Sequence, residues 1–498
     1  MPHYLGIDIG TFESKGVLVD GAGRIIASAA RPHRMLVPQP GWAEHRAEED
    51  WWGDFTFLSQ KLLADSGKDP KSIRAVGASA IGPCVLPVDA DGTPLMNAAL
   101  YGVDTRASAE IDELNAMIGV ERVLRECGNT LTSQSVGPKI LWLKKQRPDI
   151  FAKTIMVLTA TSFLVHRLTG RYVIDHYSAP NNAPFYNAAE MAWSDALAPG
   201  VIDLSMLPEI CWTAEIAGGV TPLAASQTGL AEGTPVICGT IDAAAEAVSV
   251  GAVQPGDMML MYGSTVFIIA LTSSAVRDAR LWYAPWLFPG QHASMAGLST
   301  SGTLTHWLRE TMARELAPDE AMRLMAAEAQ ASPPGANGLV VLPYFSGERT
   351  PIHDPHAKGV IFGLNLTHTR GDMVRAALEG ISFGTRHVLD TFTEAGVPVE
   401  NIHAVGGGVK NAVWAQSTSD ISGIGQIVCE KTIGASYGDA FLAAVGVGDA
   451  EIGDIKAWNP AARELKPNAA AGEIYARQYG VFRALYERTH DLMALLDG

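Results

Sequence analysis

Apolar and polar positions alternate with period two at the start of the chain, over Tyr4-Leu-Gly-Ile-Asp-Ile-Gly10, and again at Val17–Asp20 and Arg24–Ser28. Gly and Asp separate these runs, so the spacing predicts successive hairpin strands. From Glu48 the period changes, and Trp51, Trp52, Phe55, Leu58, Leu62 and Leu63 recur at helical intervals. Arg74–Pro87 reads as a buried strand interrupted by Gly82-Pro83. Ser108–Ile118, Pro138–Lys145 and Thr161–Leu168 read as helices, the last stopped by Gly170.

A second strand-rich block opens near Pro235-Val-Ile-Cys-Gly239. Met258–Val276 is uncharged over about the length of a membrane span. Gly263-Ser264-Thr265 breaks it, however, so two buried strands around a tight turn are expected, and no membrane helix. Helical patterns return at Thr303–Ala313, Asp319–Ala329 and Asp372–Glu394. The short strand Ile402–Val405 runs into Gly406-Gly-Gly408, and Tyr475 to Tyr486 mark an amphipathic last helix. Strands alternating with helices throughout predict an α/β protein. Leu5–Thr11 and Met259–Thr265 are both apolar strands that run into Gly and Thr. This echo predicts two related lobes, 1–248 and 249–498.

Composition narrows the class. The 498 residues include 37 Lys+Arg against 53 Asp+Glu, a net charge of −16, and 47% are hydrophobic. That is ample for real cores, and the acidic balance argues against nucleic-acid or anionic-membrane partners. Cys84, Cys127, Cys211, Cys238 and Cys429 are scattered, with no C-x-x-C pair, and are expected to be reduced thiols. With no basic and apolar leader before the first strand, the expected location is cytoplasmic.

Three motifs carry chemistry. In Gly6-Ile-Asp8-Ile-Gly10-Thr11-Phe-Glu-Ser14-Lys15, the Gly-Thr turn can offer N–H groups and a hydroxyl to phosphate. Asp8 could hold a hydrated Mg²⁺ and Lys15 could add positive charge, though a plain hairpin turn fits as well. In Cys238-Gly-Thr-Ile-Asp242-Ala243-Ala-Ala-Glu246, Asp242 suits either a general base at a strand-to-helix junction or a helix cap. In Val405-Gly406-Gly407-Gly408-Val-Lys410-Asn411, three glycines after a strand suit close approach to something flat or anionic, or a flexible connection.

Taken in this order, the motifs resemble those of the FGGY carbohydrate kinases, members of the actin-like ATPase superfamily. Gly347-Glu-Arg-Thr-Pro351, Gly359-Val-Ile-Phe-Gly363-Leu and Arg375-Ala-Ala-Leu-Glu379-Gly look like that family's C-terminal signature. Gly41-Trp-Ala-Glu44, Asp104-Thr-Arg106, Leu168-Thr-Gly170 and Ser301-Gly302 add to the likeness, which covers about residues 4–446. The resemblance implies an α/β fold of two lobes with ribonuclease-H-like cores around a central cleft. It also implies ATP with Mg²⁺, a small sugar as acceptor and, as is common in the family, a homodimer. By residue, it makes Asp242 the catalytic base and a metal neighbour, Asp8 the metal-linked Asp, and Gly10 and Thr11 the first phosphate loop, with Lys15 expected beside the nucleotide. Gly263, Ser264 and Thr265 become the second phosphate loop, Gly302 and Thr303 line the nucleotide, and Gly406, Gly407, Gly408 and Asn411 take the adenosine. Asp104 and the Ile81-Gly82-Pro83 wall fall on the sugar side, beside Asp242.

The layout resembles the xylulose-kinase branch and so implies D-xylulose as acceptor. The chain departs from that branch where hydrogen-bonding side chains are usual: at Ile81-Gly82-Pro83, at Gly102-Val103 and at Ala243. Another ketopentose, a polyol or a less common sugar therefore stays open. Phe12-Glu13 and Asp439 also depart from the pattern, and Glu13 is expected to face outward. Two further readings are an actin-like ATPase switch and a hydrolase using Gly434-Ala-Ser436-Tyr-Gly438 as a nucleophile elbow. His45, His166 and His387 are expected to be packing residues, not metal ligands.

Overall fold

The alternation at the start of the chain folds as a hairpin because its apolar face is buried completely. In the computed structural model, which describes residues 2–496, β1 (His3–Ile9) is buried along its whole length and pairs antiparallel with β2 (Glu13–Asp20). β3 (Ile25–Pro32) extends the meander, and α1 (Gly53–Ser66) follows. Trp51 and Trp52 are both buried, and Trp52 stacks on Phe55, so this aromatic pair is core packing.

Next come β4 (Ile73–Ala80), β5 (Ile216–Gly219), β6 (Pro235–Ile237), β7 (Thr240–Ile241) and α2 (Asp242–Ser249). The sheet order is β5-β6-β4-β1-β2-β3, with β7 also on β4. β1 and β7 both run parallel to β4, and the register aligns Asp8 with Ser79 and Ser79 with Thr240. Three strands thus end in polar side chains at one level, their C-terminal ends, where open α/β sheets place their ligands.

A second set repeats the theme. β8 (Asp257–Tyr262) and β9 (Val266–Thr272) form an antiparallel hairpin, which is what the uncharged 258–276 run becomes. β10 (His292–Leu298), α3 (Gly302–Met312) and α4 (Arg370–Glu394) follow, then β11 (Asn401–Val405), α5 (Ala412–Ser422), β12 (Gln426–Cys429) and β13 (Ala461–Leu465). The strand order is β10-β9-β8-β11-β12-β13, with β11 parallel to β8 as β4 is to β1. No helix among the described residues is long and apolar enough to cross a membrane.

The compact units are discontinuous: one comprises 1–253, 273–293 and 433–460, the other 254–272, 294–432 and 461–498. The helix Ala435–Gly446, late in the chain, belongs to the first because it packs on β1, β4 and α2. One expectation needs correction: not all five cysteines are thiols, since Cys211 and Cys238 form a disulfide, while Cys84, Cys127 and Cys429 are free and buried. The pair lies 27 residues apart and meets only because both segments fold into the first unit, so no local spacing announces it.

Candidate active site

The strand ends of the first unit gather four carboxylates. Asp8 closes β1 almost fully buried, and Asp242 opens α2 with Glu246 one turn further on the same face. Asp439 comes from the helix Ala435–Gly446 and is completely buried. The Ser79 hydroxyl donates to Asp439 Oδ2 at 2.7 Å and lies 3.4 Å from Asp8 Oδ1, while Asp439 Oδ1 has no partner. Burial pushes all four carboxyls up, and repulsion from neighbouring carboxylates adds to it for Asp8, Asp242 and Asp439: Asp242 rises to about 7, and Asp8 and Asp439 well above the carboxylate range. Asp242 does not act as an N-cap. Ile241 takes that position, and Asp242 Oδ1 accepts the N–H of the adjacent Ala243 at 2.7 Å.

Lys15 is the cation that acts on Asp8 and Glu246. It also lies 3.5 Å from Glu13, whose half-exposed carboxylate faces outward as expected. Negative charge therefore exceeds positive charge here, and an unpartnered buried carboxylate oxygen adds to the deficit. Among the described residues no three His, Cys, Asp or Glu side chains form a ready-made metal set.

In the stretch expected to line the sugar, Ile81 and Pro83 are buried and Gly82 is partly open, with a cis bond to Pro83. A Cβ at Gly82 would come within 2.6 Å of the Ile241 side chain, so this wall is tight and apolar. Asp104, expected to contact the sugar, is engaged within the protein. It is fully buried, Arg106 clamps both of its oxygens, and Oδ2 also takes the Ala43 N–H at 2.8 Å. Its role is to hold Arg106, whose guanidinium lies 3.9 Å from the Trp42 ring centre. The preceding turn rests on a lysine that the sequence did not single out: Lys139 Nζ donates to the carbonyls of Leu100, Tyr101 and Ser133. Burial lowers the pKa of this lysine to about 8.

The second unit positions the other glycine motifs. Gly263-Ser264-Thr265 is the β8–β9 turn, and the start of α3 is bonded onto it: Gly302 N to Gly263 O at 3.0 Å and Thr303 N to Ser264 O at 3.2 Å. Ser264 and Thr303 remain exposed. Gly406 adopts φ +95°, and a Cβ there would lie 2.7 Å from Tyr262 O, so the turn out of β11 needs glycine. Gly407 is open to solvent, Gly408 lies against the Trp414 ring, and Asn411 caps α5 through Trp414 N. Ser436, the serine of the supposed nucleophile elbow, is completely buried beneath its helix, which removes the hydrolase reading.

Comparison with known proteins bears on the same residues. Residues 3–249 match the N-terminal domain, and residues 258–447 the C-terminal domain, of the FGGY family of carbohydrate kinases. The chain is 27% identical to the xylulose kinase of Bacillus subtilis (strain 168) over 100% of this chain and 99% of that protein. It is 29% identical to glycerol kinase 1 of Streptomyces avermitilis over 98% and 97%. A crystal structure of xylulose kinase from Rhodospirillum rubrum superposes with a TM-score of 0.91 at 31% identity, covering 99% of both chains. Both halves of the chain therefore carry the same family's fold, and the protein belongs to the FGGY family of carbohydrate kinases, sugar phosphotransferases built on the actin-like ATPase fold.

Proposed function

We propose that the protein phosphorylates a ketopentose, D-xylulose, with Mg²⁺·ATP as donor and Asp242 as general base. The observation that carries this reading is a carboxylate held near neutrality at the mouth of α2, beside Asp8, in a chain of this family. A base with a pKa near the working pH takes a hydroxyl proton effectively while a useful fraction stays ionised. Xylulose kinases recur among the relatives, over nearly the whole length of both chains.

Asp242 would accept the proton of the sugar hydroxyl as that hydroxyl's oxygen attacks the γ-phosphorus in line, while the bond from the γ-phosphorus to the β–γ bridging oxygen breaks and ADP leaves. Gly10 and Thr11, like Gly263-Ser264-Thr265, Gly302 and Thr303, are assigned to the phosphates by the family resemblance, with Lys15 adding charge. Gly406, Gly407, Gly408 and Asn411 are assigned to the adenosine. Asp8 and Asp242 would hold the Mg²⁺, which when bound neutralises charge on the phosphate oxygens.

The test is ADP release from Mg²⁺·ATP across ketopentoses, ketohexoses, polyols and sugar acids. D-xylulose is expected to raise turnover by at least about ten-fold over each competitor. A second reading is favoured by the wall itself: Ile81 and Pro83 offer the sugar no side-chain hydrogen bond. If glycerol or another ketose leads the panel, that reading replaces the first. Turnover that is flat for every compound removes the kinase reading.

A pH profile gives an independent check. The base works deprotonated, so kcat/KM should rise with pH through the Asp242 pKa, about 7, and fall away on the acid side. The Glu246 charge raises that value. Glu246→Gln should therefore move the acid limb to lower pH at the same Mg²⁺ concentration. An unmoved limb would show that another group sets the profile.

A further inference from the structure

The turn after β1 has an unusual distribution of backbone hydrogen bonds. Gly10 O accepts from His33 Nε2 at 2.9 Å, Thr11 O from His45 Nε2 at 3.1 Å, and Phe12 O from the His33 backbone N–H at 2.9 Å. All three carbonyls of the turn are thus tied back to the scaffold. Gly10 N is used by Glu13 O, whereas among the described residues the Thr11 and Phe12 N–H groups have no acceptor. Successive amides left free while their carbonyls are turned away form an anion cradle.

The hydrogen-bond partners fix the state of both imidazoles. His33 Nδ1 lies 2.8 Å from Asp54 Oδ2, and its Nε2 faces a carbonyl oxygen, so both nitrogens must donate and the ring is an imidazolium. Asp54 is itself held by Ser14 Oγ at 2.6 Å and Arg31 Nε at 3.1 Å. His45 Nδ1 accepts from Trp51 Nε1 at 3.1 Å, which leaves the proton on Nε2 and the ring neutral. The two rings meet edge to face, 4.9 Å between centres. Electrostatics agree. Burial opposes charge on His33, but the bond to Asp54 and the charges of Asp54 and Asp50 raise its pKa overall, while burial and the neighbouring His33 push His45 down to about 4.

We infer that His33 is a positioning residue for nucleotide binding: anchored by Asp54, it grips Gly10 O and, with His45, holds the turn so that its free amides face a nucleotide phosphate. The inference rests on the assignment of Gly10-Thr11 to ATP. His33 touches neither substrate; it acts through the turn.

Two amide substitutions separate this role from simple support of the fold. In His33→Gln the side-chain amide nitrogen replaces Nε2 and keeps the bond to Gly10 O. In His33→Asn it replaces Nδ1 and keeps only the bond to Asp54. Mg²⁺·ADP binding by calorimetry, and KM for ATP and for sugar, are measured on the full-length protein, with thermal melts as a folding control. The Asn variant should bind ADP about ten-fold more weakly and raise the ATP KM to match, as loss of a charge-assisted bond predicts. The Gln variant should stay within about two-fold of native, and the sugar KM should change in neither. Equal binding by both variants and the native protein, or equal loss in both, overturns the inference. If no sugar is turned over yet ADP binding follows the Gln–Asn split, the positioning role stands and the sugar-kinase reading fails. A native protein that binds no ADP overturns the assignment of the turn and the inference together.

Discussion

Asp242→Asn should cut sugar-dependent turnover by about a thousand-fold or more, within the range that removing a general base produces. The substitution is nearly isosteric. Its amide oxygen can still accept the Ala243 N–H that Asp242 Oδ1 takes at 2.7 Å, so the start of α2 should be undisturbed. The fold should not suffer, because one member of a crowded set of buried carboxylates loses its charge and the repulsion felt by Asp8 and Asp439 falls. What disappears is the one lone pair placed to receive a proton. ADP measured without Mg²⁺ should keep its affinity within about three-fold, since the nucleotide assignment lies elsewhere and only the Mg²⁺ contact is lost. The measurement is kcat with the best sugar of the panel, alongside ADP calorimetry and a melting curve. A variant that retains a tenth of native turnover would remove Asp242 from the chemistry and leave Asp8 or Glu246 to be examined as the base.

How much of this was readable in advance depends on where the information sits. Periodicity found the β8–β9 hairpin inside an uncharged run, and the helix over Ser108–Ile118, because burial of one face writes itself into local spacing. The motif glycines were legible for a similar reason, as turns after strands limit what the next residue can be. Asp439 was visible only as a departure from family habit. Its place beside Asp8 comes from a helix more than 400 positions later in the chain that lies across β1 and β4. His33 gave no signal, since a histidine after an edge strand looks like any surface residue until Asp54 and Gly10 O are found on either side of it. Asp104 differs again: its motif was recognisable, but only the structure shows both oxygens bonded to Arg106 and one of them to the Ala43 N–H. Cys211 and Cys238 belong with His33, joined by the fold and not by spacing.

The helix that brings Asp439 into place also sets the position of Asp242, and it does so through contacts with no room for a side chain. A Cβ at Gly6 of β1 would fall 2.0 Å from Ser436 O, and one at Gly77 of β4 would fall 2.2 Å from Asp439 O. On the helix's other side, a Cβ at Gly438 would lie 1.9 Å from Ala245 O, in the second turn of α2. Every obstructing atom is backbone, so no rotamer change can relieve the clash, and a single added methyl must force α2 and the helix apart. Gly438→Ala is therefore expected to destabilise the protein by about 3 kcal/mol, the cost of overpacking a rigid core, and to lower Tm by several degrees. The fraction that stays folded should also lose kcat, because a shift of about 1 Å in α2 carries Asp242 with it, and misplacement on that scale can cost roughly a hundred-fold in rate. Gly480→Ala is the matched control. It lies inside the last helix, Gly472–Ala494, with open space around its Cβ, and should gain up to about 1 kcal/mol from the same chemical change. A Gly438→Ala protein that melts and turns over like the native one would mean that α2 tolerates displacement, and that the geometry of Asp242 is not set by this packing.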